Sequence, residues 1–112
     1  MTAPFLRGEV LSAATGKPRP VVVLRANAFR DRGLVVVAGL TSEDIGSEIF
    51  RVPIEPTESN GLDRRSFVMA DFLASMQGHK IGGRIGRLSD ADMLRINAAL
   101  VVFLGIEGGS TR

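Results

Sequence analysis

Four polar residues stand where this sequence could do chemistry: Arg19, the adjacent Thr41 and Ser42, and Asp71, each at or near the end of an apolar run. The chain has no cysteine and one histidine, His79, set in a glycine-rich segment. A Ser-His-Asp triad would have to use His79, and no GxSxG elbow presents a serine to it. Metal ligation fares no better, because His79 has no partner histidine and the acids fall in turn-type segments rather than at ligand spacing. Residues 78–88 read GHKIGGRIGRL, but no Lys-Thr pair and no strand-to-helix setting accompany the glycines, so a phosphate-cradling P-loop is excluded. What remains asks for no metal and no cofactor: one guanidinium, two hydroxyls and one carboxylate.

The guanidinium is the best placed of these. Arg19 lies in Lys17-Pro18-Arg19-Pro20-Val21-Val22-Val23-Leu24, where two prolines stiffen the backbone in an extended form immediately before a β-branched run. Such a segment aims a charge from the mouth of a central strand.

The elements that must position this set follow from periodicity and turn chemistry. Residues 8–12 read as a short first strand, joined to the Arg19 strand by a brief turn with Gly16. A polar segment, 27–33, ends in Asp31-Arg32-Gly33, a tight turn in which Gly33 is expected to take a positive φ. Residues 34–40 are wholly apolar, so this strand and the Val21 strand are both expected to be buried on two faces. Residues 47–54 alternate, and Pro53 assigns them to an edge or a bulge. Asn60-Gly61 is a turn signal. In residues 66–75, strict alternation places Phe67, Met69 and Asp71 on one face and Val68, Ala70 and Phe72 on the other. The glycine-rich segment reads as a bent strand or turn. Ser89 then caps a helix, with Asp90 and Asp92 in its first turn, that runs to about Leu104 and stops at Gly105. Met93, Ile96, Leu100 and Phe103 make that helix apolar over much of its circumference, so both the sheet and a second subunit are expected to cover it.

Five to seven short strands and one closing helix, without βαβ alternation, predict a mainly β small barrel or strongly curled sheet. At 112 residues the chain reads as one domain, 1–112, with residues 1–6 and 107–112 as flexible ends. The absence of cysteine, of a signal-peptide pattern and of a membrane-length apolar run suits a cytoplasmic protein with no membrane partner. Fourteen basic residues against twelve acidic ones give a net charge of only +2. That balance alone does not announce nucleic-acid binding. The bases nevertheless cluster, at Arg25, Arg30 and Arg32, at Arg64 and Arg65, and at Lys80, Arg84 and Arg87. Sharing a face, they could hold a phosphate backbone.

In their order and spacing, several segments together resemble the MazF/PemK toxins of bacterial toxin–antitoxin pairs, which share a fold with the CcdB toxin. They are Arg7-Gly8-Glu9-Val10, Arg19-Pro20-Val21-Val22-Val23, Thr41-Ser42, Asn60-Gly61-Leu62 before Ser66-Phe67-Val68, GGRIGRLSD at 82–90 and Leu104-Gly105-Ile106. The likeness spans roughly residues 7–106. It implies an SH3-like barrel with a C-terminal helix, a homodimer, a cognate antitoxin, and metal-independent, sequence-specific cleavage of single-stranded RNA through attack of the ribose 2′-hydroxyl. It further implies Arg19, Thr41 and Asp71 as catalytic residues with Ser42 beside them, and Lys17, Phe72 and Ser75 are expected to join Ser42 in binding substrate. A guanidinium can grip two non-bridging phosphate oxygens, and a threonine hydroxyl can add a bond to the developing charge. Asp71 is then a candidate base, or a group that orients Arg19 or pairs with a neighbouring basic residue.

The sequence also departs from that pattern. The connection before Arg19 is short, Met69 stands where some members carry an arginine, and Phe72 and Ala74 replace a commonly seen glutamine and arginine. Such changes are expected to alter or weaken RNA reading, and Phe72 could compensate by stacking a base. Two alternatives follow: a non-catalytic, CcdB-like poison of DNA gyrase acting through the helix end, or a degenerate toxin that only binds its antitoxin.

Overall fold

A computed structural model describes residues 5–15, 17–31, 33–46 and 49–106. The strands are β1 (Glu9–Thr15), β2 (Lys17–Val23), β3 (Leu34–Thr41), β4 (Arg51–Ile54), β5 (Ser66–Gln77) and β6 (Ile81–Arg87), and the helix is α1 (Asp90–Leu104). Short 3₁₀ turns occupy Asn27–Phe29 and Gly78–Lys80. Among the described residues all strand pairs are antiparallel, in one sheet of order β4-β5-β3-β2-β1-β6.

The expected barrel is present as a curled sheet whose strands do not close on themselves, since β4 and β6 remain its edges. The loop after β4 fills the gap instead. Arg87 N–H bonds to Ser59 O across 2.9 Å, and buried Asn60 knits that loop from within. Its Oδ1 accepts from the Thr57 and Leu62 N–H groups at 3.0 Å each, while its Nδ2 donates to Glu55 O at 2.9 Å. Gly61 takes φ +69° there, as its turn chemistry predicts.

Two apolar clusters lie on opposite faces of the sheet, and β2 divides its valines between them. Val22 joins Ala38, Leu40, Val68 and the helix residues Met93 and Ile96. Val21 and Val23 join Leu11, Val35, Val37 and Ile81. Each such valine, leucine, isoleucine or methionine, fully buried, contributes roughly 1.5–3 kcal/mol. The expectation of two-sided burial therefore holds for the end of β2. It fails for the start of β3, where Leu34 and Val36 are 51% and 37% exposed because the helix does not reach that part of its face. Phe5, assigned from sequence to the flexible start, packs against the second cluster. Residues 1–4 and 107–112 lie outside the described residues, as do Gly16 and Arg32 of the expected turns. The φ expected of Gly33 depends on Arg32 and lies outside the described residues with it.

The helix obeys its signals. Ser89 Oγ accepts from Asp92 N–H at 3.1 Å, and Gly105 adopts the left-handed form, φ 68°, after the last turn. Arg7 latches the helix to the sheet, donating to Leu24 O at 2.8 Å and Asn97 Oδ1 at 2.6 Å. Arg95 reaches Pro53 O at 2.7 Å, so edge strand β4 has both a missing donor and an occupied acceptor. Among the described residues no helix is long and apolar enough to cross a membrane.

Candidate active site: two clefts meeting at Arg19 and Thr41

Strand pairing brings Arg19 and Thr41 together. Val21 sits opposite Gly39, and two residues further along each strand come Arg19 and Thr41, on the same side of the sheet. The two residues border two clefts at once. The first, of 270 Å³, is also lined by Lys17, Ser42, Asp63 and Arg64. The second, of 550 Å³, has Val21, Val37 and Gly39 along its floor, Met69, Phe72 and Met76 among its walls, and Glu43 and Arg51 among its polar lining.

The first cleft carries three cations against one carboxylate, Asp63. Among the described residues the side chains of Lys17, Arg19 and Arg64 have no ion-pair or hydrogen-bond partner, so their charge is available to an anion. Thr41 is oriented to help. Its Oγ1 accepts from Glu43 N–H at 3.1 Å, which leaves its own O–H free to donate.

Asp71 is held elsewhere. Between the Ala38–Leu73 and Gly39–Met69 pairs, Ala70, Asp71 and Phe72 bulge out of register with β3. The bulge resets the alternation, so Phe72 joins Met69 on the wall of the second cleft instead of facing away from it. Asp71 lines neither cleft. It accepts from Arg51 Nε at 2.8 Å and Nη2 at 3.0 Å, and this pairing holds its carboxyl below the usual range against the opposing effect of burial. Ser75 lies opposite Val36 on β3 and lines neither cleft. His79 stands on the Gly78–Lys80 turn. No group of three or more metal-ligating side chains occurs among the described residues.

Arg51, Arg64 and Glu43 are residues of this site that sequence reading did not select. Arg64 was visible only as part of a basic pair. Arg51 depends on a register that places it opposite Met69, next to the bulge carrying Asp71.

The sequence profile of the PemK-like, MazF-like toxins of type II toxin–antitoxin systems matches residues 5–104. The chain belongs to this family. A probable endoribonuclease MazF of Mycolicibacterium smegmatis is 38% identical over 107 residues, covering 91% of this chain and 98% of that protein. A mycobacterial endoribonuclease solved with its cognate antitoxin superposes with a TM-score of 0.82 at 28% identity, covering 96% of this chain and all of that one. A second mycobacterial endoribonuclease gives 0.79 at 27% identity over 94% of each chain. In this MazF/PemK-like toxin, Met69, Phe72 and Ala74 all line the second cleft.

Proposed function

We propose that this toxin is an endoribonuclease acting on single-stranded RNA at the border between the two clefts. The carrying observation is the juxtaposition of an Arg19 guanidinium, unpaired among the described residues, with a Thr41 hydroxyl whose proton is free. The 2′-hydroxyl attacks the adjacent phosphorus as it loses its proton to water, the bond to the 5′-oxygen breaks, and that oxygen takes a proton from water, leaving a 2′,3′-cyclic phosphate and a 5′-hydroxyl. Arg19 grips the non-bridging oxygens, and Thr41 donates to the charge that grows on them. A guanidinium is a poor proton shuttle, so Arg19 works by charge stabilisation. Lys17 and Arg64 hold neighbouring phosphates, and Ser42 adds a hydroxyl to the same cleft. Asp71, spent on Arg51, is a positioning residue in this reading and not the base.

The working unit is a homodimer joined through the apolar helix end around Phe103, Leu104 and Ile106. Its antitoxin is an acidic, partly disordered chain that folds across the cationic cleft. The solved relative bound to its cognate antitoxin supports that partnership. The gyrase-poison reading draws only on Leu104-Gly105-Ile106, while the relatives named for RNA cleavage support the nuclease.

The test is to incubate the protein with a long single-stranded RNA in excess EDTA and map fragment ends beside an Arg19→Ala variant. Discrete cuts with cyclic-phosphate ends, lost in the variant, are expected. No cutting by the wild type, or undiminished cutting by Arg19→Ala, overturns the assignment.

A further inference from the structure

One polar residue of the second cleft has no part in the cleavage chemistry. Glu43 lines that cleft, and its carboxylate has no hydrogen-bond or ion-pair partner among the described residues. Its backbone is nevertheless anchored. Its own N–H is bonded to Thr41 Oγ1 at 3.1 Å, which ties it to the hydroxyl assigned to the reacting phosphate. Of the other polar groups along the cleft, Arg19 and Thr41 serve the phosphate and Arg51 is engaged with Asp71. That leaves Glu43 to read what enters.

The rest of the cleft is built for a flat apolar face. Phe72 is 58% exposed on its wall. A Cβ on Gly39 would lie 2.8 Å from Met69 Cε and 3.4 Å from Phe72 Cδ1, so the bare glycine gives those side chains their room. A volume of 550 Å³ falls in the range of roughly 300–1,000 Å³ usual for small-ligand sites.

Resting on the RNA-cleaving reading, we infer that this cleft seats the nucleobase beside the scissile phosphate, stacked on Phe72, and that Glu43 selects bases presenting hydrogen-bond donors. Guanine ranks first and uracil last. A carboxylate only accepts. Guanine offers N1–H and N2–H side by side, one for each carboxylate oxygen. Cytosine and adenine each offer one exocyclic amino group. Uracil flanks its single N–H with two carbonyl oxygens, which repel the carboxylate.

The test uses 2′-O-methyl RNA, which cannot be cut for want of a 2′-hydroxyl. Binding of a uridine hexamer is compared with that of the same hexamer carrying one interior guanosine, by calorimetry, for the wild type and Glu43→Gln. The guanosine is expected to tighten wild-type binding at least about fivefold, and Glu43→Gln is expected to close the gap, because an amide both donates and accepts. Equal binding of the two hexamers by the wild type overturns the inference, as does a gap that survives in Glu43→Gln. If long RNA is cut in an Arg19-dependent way while the hexamers bind equally, the nuclease stands and only the base assignment falls. If neither hexamer binds, the inference falls and the cleft is left to a protein partner.

Discussion

Arg51 and Asp71 meet side-on, with Nε on Oδ1 at 2.8 Å and Nη2 on Oδ2 at 3.0 Å, across the bulge that interrupts β5. The bond lowers the carboxyl's pKa from an ordinary 3.8. A depressed folded-state value means that the pair stabilises the fold fully above the unfolded pKa, and that this contribution is lost as pH falls through the folded one. Asp71→Asn is therefore expected to cost about 1 kcal/mol or less at pH 7. The gap to wild type should narrow below about pH 4, as urea unfolding across a pH series would show. A gap that stays constant down to pH 2 would refute the linkage.

In the proposed reading Arg64 holds an RNA phosphate, so Arg64→Ala should weaken binding of single-stranded RNA without moving the cut sites. The slope of log K against log salt should flatten by about 0.7, the value for one phosphate contact on a single strand. An unchanged slope would remove Arg64 from the interface.

Gly86 lies against the loop that seals the sheet. A Cβ there would sit 2.4 Å from Asn60 C and O and 2.6 Å from Ser59 O, all of it backbone, whereas Gly83 has nothing within 4 Å. Gly86→Ala is expected to destabilise by about 1–3 kcal/mol through overpacking. Gly83→Ala should be near neutral. Thermal midpoints of the two variants measured together check the contrast.

Phe103 is 46% exposed, with its ring 5.6 Å from that of Phe50. Phe103→Glu would place a charge in the proposed dimer contact, and light scattering should show the mass falling from two chains to one at micromolar concentration. A dimer that survives the change would place the contact elsewhere.

Much of this architecture was legible in the sequence because it is written in local chemistry. Ser89 and Gly105 bound the helix through their own cap preferences, Pro53 confines β4 to an edge, and Gly61 marks its turn. Arg19 and Thr41 were identifiable because each ends an apolar run and antiparallel pairing aligns such ends. The bulge at Ala70, Asp71 and Phe72 was not legible: strict alternation put Phe72 on the wrong side, and nothing local announces a register shift. Arg51 stayed hidden for the same reason, since its partner is twenty residues away and reachable only through the β4–β5 register. The exposure of Leu34 and Val36 depends on how far the helix extends over the sheet, which no single strand encodes.

The first strand is completed by the last parts of the chain. Glu9 is bonded to Arg84 across a separation of 75 residues, and Arg7 to Asn97 across 90. Contacts that close such long loops come late and make folding slow. A chain stopped before Ser89 leaves the valines and leucines that face the helix bare to water, and we expect it to show no cooperative melting by circular dichroism. Toxicity would then be conferred in a single late step, when the helix docks, rather than growing as the strands are laid down.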